Sequence, residues 1–78
     1  MMNNKIAKIC GWNAVAVYNY ISDNPDDSLP NIARHVYLTA ATVRSTVIKL
    51  ERCGFIKIAT RKKFGRYYTN KYIIINQE

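Results

Sequence analysis

Apolar residues recur with helical spacing between Trp12 and Ile21, where Ala14, Val17, Tyr18 and Ile21 follow one another at steps of three, one and three. That spacing places all four on one face and predicts a first core helix. Asp23-Asn24-Pro25-Asp26-Asp27 ends it, because Pro25 disfavours helical geometry at Asn24 and the Asp and Asn residues around it favour turns. Upstream, Asn3 or Asn4 is placed to cap a short helix through Cys10, with Gly11 as a joint.

Ser28 is a suitable N-cap for the next helix, whose first turn tolerates Pro30 and whose apolar stripe is Ile32, Ala33 and Val36. Tyr37-Leu38-Thr39 makes a turn, and Thr39 caps a further helix over 39–53 that Gly54 stops. Val43, Val47 and Leu50 share its inner face. At about 100° per residue, Ala41, Ser45, Ile48 and Arg52 point the opposite way, with Arg44 and Lys49 on the two flanks. Phe55 to Thr60 and Tyr67 to Ile75 are rich in β-branched and aromatic residues and predict two strands. The segment between them, Arg61-Lys62-Lys63-Phe64-Gly65-Arg66, reads as an exposed loop in which Gly65 supplies the turn, and Asn76-Gln77-Glu78 reads as a frayed end.

The expected fold is therefore α+β, a three-helix core followed by a C-terminal β-hairpin. Seventy-eight residues allow one domain, 1–78, with its core over about 12–76 and an N-terminal extension over 1–11. The 49% hydrophobic content is enough for a core, and the formal charge of +7 points to an acidic partner. That charge is unevenly placed. Residues 1–27 carry Lys5 and Lys8 against Asp23, Asp26 and Asp27, whereas residues 28–75 carry ten Lys/Arg against Glu51 alone. No apolar run approaches the roughly 20 residues a bilayer span requires, and the N-terminus lacks the pattern of a secretion signal, so a cytoplasmic location is expected. Cys10 and Cys53 belong to no CxxC pair, and the only other soft ligand is His35, so neither a metal site nor a cofactor is expected. Two buried thiols and a disulfide both remain open for the pair.

Leu29-Pro30-Asn31-Ile32-Ala33, Val36-Tyr37-Leu38-Thr39-Ala40-Ala41-Thr42-Val43 and Leu50-Glu51-Arg52-Cys53-Gly54-Phe55-Ile56 resemble the winged helix-turn-helix domains of MarR-type regulators. The tail Arg66-Tyr67-Tyr68-Thr69-Asn70-Lys71-Tyr72 is similar to the wing and last strand of helix-turn-helix domains in phage and plasmid replication proteins. The resemblance covers about 12–76. The resemblance implies a DNA-reading module with a winged fold. Two departures stand out. Tyr37 occupies a turn position where such domains often have Gly, which imposes an unfavourable backbone geometry on a bulky residue, and the chain carries neither an obvious sensor domain nor a long C-terminal helix.

Physical reasoning from the residues leads the same way. A helix fits the major groove and presents the side chains of its first turns to base edges, which singles out Thr39, Ala40, Ala41, Thr42, Arg44 and Ser45. Arg44 is the best candidate for a base contact, since a guanidinium donates two bonds to guanine O6 and N7. Lys49 and Arg52 lie farther along the helix and suit phosphate, while Arg61, Lys62, Lys63 and Arg66 form a cationic wing over 61–66 suited to the minor groove or the backbone. Solvated charge that keeps a hairpin edge soluble is the competing explanation for the wing.

The expected function is sequence-specific double-stranded DNA binding, as a small transcriptional regulator acting as a homodimer on DNA. The alternatives are a non-specific architectural or protein-interaction module, supported by the outward Ile48 and the aromatic excess, and a replication accessory factor, supported by the tail. No small-molecule ligand is evident. The abundance of Ile, Asn, Lys and Tyr in so small a domain is compatible with a viral or plasmid origin. Catalysis is the weakest alternative, because His35 has no adjacent nucleophile and Asp23, Asp26 and Asp27 are explained by helix termination.

Overall fold

Backbone capping divides the first half of the chain into helices at the positions its composition marks. The computed structural model describes residues 2–64 and 67–75, with the side chains of Met2 and of residues 60–70 outside that description. The described elements are α1 (Met2–Cys10), α2 (Trp12–Asp23), α3 (Leu29–Val36), α4 (Ala40–Arg52), β1 (Ile56–Phe64) and β2 (Tyr67–Ile74). The fold is α+β, with four helices and a C-terminal antiparallel hairpin. The expected core had three helices. The fourth is α1, and it belongs to the core, since its Ile6 is fully buried and the helix packs on both α2 and α4. It begins at Met2, so Asn3 and Asn4 lie inside it and do not cap it. Gly11 joins α1 to α2 at φ 90° and ψ 168°, a conformation open in practice only to glycine, while its N–H donates to the Ala7 carbonyl at 2.9 Å.

Side-chain caps start α3 and α4 as expected. Ser28 Oγ accepts from the Asn31 N–H at 3.3 Å, and Thr39 Oγ1 accepts from the Thr42 N–H at 3.1 Å. Both helices end in the same way, with a left-handed residue followed by an N–H that bonds the carbonyl five residues back. The Leu38 N–H reaches the Ala33 carbonyl after Tyr37, and the Phe55 N–H reaches the Leu50 carbonyl after Gly54, each at 3.0 Å. Leu50 and Phe55, the hydrophobic pair that accompanies the second motif, are both fully buried.

All four residues of the α2 stripe, Ala14, Val17, Tyr18 and Ile21, are buried, joined by Val15. Ile32 and Ala33 of α3 and Val43, Val47 and Leu50 of α4 face them, and the hairpin closes the core with Ile56 and Tyr72. Ile56 pairs with Ile74 and Ile58 with Tyr72; then Ala59 and Thr60 stand opposite Lys71 alone, a bulge, before pairing resumes at Arg61 and Asn70. The base of the hairpin is tied to the helices by backbone bonds at 2.9 Å from the Tyr72 N–H to the Pro25 carbonyl and from the Ile75 N–H to the Phe55 carbonyl.

Candidate functional site

Helix α4 has one face in the core and the rest of its surface turned outward. Thr39, Ala40, Ala41, Arg44, Ser45, Lys49 and Arg52 are exposed, and Thr42 is half-buried. The first-turn hydroxyls have local duties. Thr39 donates to Thr42 Oγ1 at 2.8 Å while accepting the Thr42 N–H, which leaves the Thr42 hydroxyl proton available for an outside acceptor. Ile48 stays 39% exposed on the same surface.

Two structures flank this surface. On one side Glu51 Oε2 accepts from the Ile58 N–H at 2.9 Å, so the only acid of residues 28–75 is engaged with the backbone of β1. On the other side, the end of α1 and the start of α2 border a shallow groove of ≈ 380 Å³ lined by Cys10, Asn13, Ala41, Thr42, Ser45, Thr46 and Lys49. Asn13 thus joins four of the predicted contact residues. Nothing in the sequence signals this, because only the packing of α1 and α2 beside α4 brings position 13 there.

The basic hairpin differs from the expected loop. Arg61, Lys62 and Lys63 are strand residues, paired with Asn70, Thr69 and Tyr68, and the ladder continues to Phe64 opposite Tyr67. The β-branched and aromatic content of the returning strand extends the pairing through the cationic stretch, so only two residues separate the last pair. These are Gly65 and Arg66, and they lie outside the described residues, as do the predicted frayed end 76–78 and the side chains of Arg61, Lys62, Lys63, Tyr67 and Tyr68.

Cys10 Sγ donates to Cys53 Sγ across 3.8 Å, bringing together two half-buried thiols 43 residues apart. Burial pushes the Cys10 thiol above its ordinary value, and the hydrogen bond to Cys53 and the charge that Cys53 takes on add to this, against a smaller opposing effect of the Lys49 ammonium. The spacing of the two cysteines in the chain gave no sign that they meet.

A second polar cluster joins α2 to α3. The Asp27 carboxylate accepts from the Tyr20 hydroxyl, from Asn31 Nδ2 at 2.9 and 2.8 Å, and from the Ser28 N–H at 2.9 Å. His35 is exposed and stacks on Tyr20, with ring centroids 5.0 Å apart. Burial alone would raise the Asp27 carboxyl, but the bonds from Tyr20, Asn31 and Ser28, with His35 nearby, outweigh it and hold the group below its ordinary value. The Tyr20 hydroxyl, which donates to that carboxylate, is raised in turn. This cluster fixes the entry into α3.

Tyr37, between α3 and α4, has φ 59° and ψ 40°, and its side chain is 93% exposed. Among the described residues no group of three His, Cys, Asp or Glu is arranged to hold a metal ion, and no helix is long and apolar enough to cross a membrane. A comparison with protein-family models gives no match, and a comparison with curated proteins gives none either.

Proposed function

We propose that the chain is a sequence-specific double-stranded DNA-binding protein of winged helix-turn-helix type, which lays the outward surface of α4 in the major groove and sets its basic hairpin against the minor groove or the phosphate backbone. The observation that carries this reading is the character of that surface. Arg44, Ser45, Lys49 and Arg52 are exposed on it together, beside small residues Ala40 and Ala41 that let a helix approach base edges, while the one nearby acid is turned to β1. The helix order supports it further, since α3 and α4 are joined by a short turn with α4 capped at Thr39, and the hairpin follows directly. The bond from Tyr72 to Pro25 attaches the hairpin beside the turn between α2 and α3.

In this reading Arg44 reads a base, Thr42, Ser45 and Asn13 contact bases or nearby phosphates, and Lys49, Arg52, Arg61, Lys62, Lys63 and Arg66 neutralise phosphates. A homodimer acting as a small transcriptional regulator fits the two-fold symmetry common in such sites. Duplexes selected from a random pool and titrated at several salt concentrations test the reading. Affinity is expected to fall steeply with salt. Arg44→Ala should weaken the selected duplex by about 1–3 kcal/mol and relax the preference at one base position, whereas Lys49→Ala should weaken all duplexes alike and lower the salt slope by about 1. No binding at low salt would reject DNA recognition altogether. Equal affinity for selected and random duplexes would favour the second reading, an architectural or protein-interaction module, which the exposure of Ile48 beside these cations supports.

A further inference from the structure

We infer that Cys10 and Cys53 form an oxidation site, at which a hydroperoxide closes an intramolecular disulfide between the end of α1 and the C-cap of α4. The thiols need no large movement to join, since Sγ and Sγ are 3.8 Å apart and already hydrogen-bonded. Both residues are half-buried rather than sealed in the core. Cys10 also borders the open groove beside α4, which gives a small oxidant a path to it. The inference goes beyond DNA recognition and does not depend on it.

The chemistry balances with hydrogen peroxide as oxidant. The Cys10 thiolate attacks one peroxide oxygen, the O–O bond breaks, and the other oxygen takes up a proton and leaves as water, while the sulfur becomes a sulfenic acid. Cys53 sulfur then attacks Cys10 sulfur, the S–O bond breaks, the hydroxyl leaves as water with the proton from Cys53, and the S–S bond forms. Two thiols lose two electrons and two protons, and one peroxide is reduced to two waters. The product links residues 43 positions apart, so it restricts the unfolded chain strongly while asking little of a folded state in which the sulfurs already touch.

The test uses the whole reduced chain without DNA, so its failure and the failure of the DNA reading are distinguishable. After treatment with about one equivalent of hydrogen peroxide, intact mass should fall by two hydrogen atoms, and digestion should yield a peptide pair joined through Cys10 and Cys53. Thermal unfolding should move up by about 10 °C or more, and return on addition of a dithiol reductant. The Cys53→Ser variant should show neither the mass loss nor the thermal shift, and its Cys10 should be trapped as sulfenic acid by a 1,3-dione reagent. Oxygen addition without hydrogen loss in the wild-type chain, disulfides formed only between chains, or an internal disulfide that leaves the midpoint unchanged or lowers it would each overturn the inference. The wild-type measurements stand on their own if the variant fails to fold.

Discussion

Tyr37 and Gly54 occupy equivalent positions, each the left-handed residue that follows a helix and lets the next N–H reach back to a carbonyl inside it. For glycine this conformation carries little cost, but for a residue with a Cβ it costs about 1 kcal/mol or more. Nothing around Tyr37 offsets that cost through burial, since its side chain is 93% exposed. Tyr37→Gly is therefore expected to stabilise the fold by up to about 1 kcal/mol, seen as a rise of about 4–8 °C in the thermal midpoint. An unchanged or lower midpoint would mean that the tyrosine contributes more to the folded state than its exposure implies. The strain itself was visible in the sequence, because a bulky residue stood at a turn position where glycine is the easier choice. How the chain accommodates it was not, since the left-handed conformation follows from the Leu38 bond to Ala33 and not from residue type.

The caps of α3 and α4 and the inner faces of α2, α3 and α4 were legible because they are local. Ser28 and Thr39 each bond an N–H three residues ahead, and the buried stripes follow the helical repeat. The place of α1 in the core was less legible, as its polar residues obscure the single fully buried Ile6. Strand length differs from the expected one for a related reason. Arg61, Lys62 and Lys63 look like a loop by charge, yet a ladder depends on backbone groups, which charged residues supply as well as any others. The polar junction between α2 and α3 also escaped a one-dimensional reading. Helix termination is all that the sequence shows for Asp27, whereas in the structure it collects bonds from Tyr20, Ser28 and Asn31. Because its folded carboxyl lies below the ordinary value of 3.8, the stability it supplies is complete above that value and is lost as pH falls through the lower, folded value. The stability difference between wild type and Asp27→Asn, followed by urea unfolding from about pH 5 to about pH 2, should shrink as pH falls. A difference that stays constant would show that the carboxylate's charge is not what holds this junction.

Across the molecule, three of the five acids fall in residues 1–27, and the excess positive charge follows α3, α4 and the hairpin. Ile9 of α1 and Trp12 of α2 are exposed. The core interlocks the two halves. Ile6, Val17 and Ile21 of the first two helices meet Val43, Val47 and Leu50 of α4, so the inner face of α4 is committed to the core and its outer face is left to solvent. Which side of α4 faces inward was readable from its apolar spacing, but its two flanks were not, since they depend on where α1 and β1 pack. The most direct test of the account is to map backbone amide shifts as a selected duplex is added to the labelled chain. The largest changes are expected at Ala40, Ala41, Arg44, Ser45 and Lys49, with Asn13 moving alongside them and the exposed residues Asn19, Ser22 and Asp23 of α2 left unmoved. Saturation of binding with α4 unperturbed, or changes centred on α2, would contradict the assignment of the outward surface of α4 as the part that meets DNA.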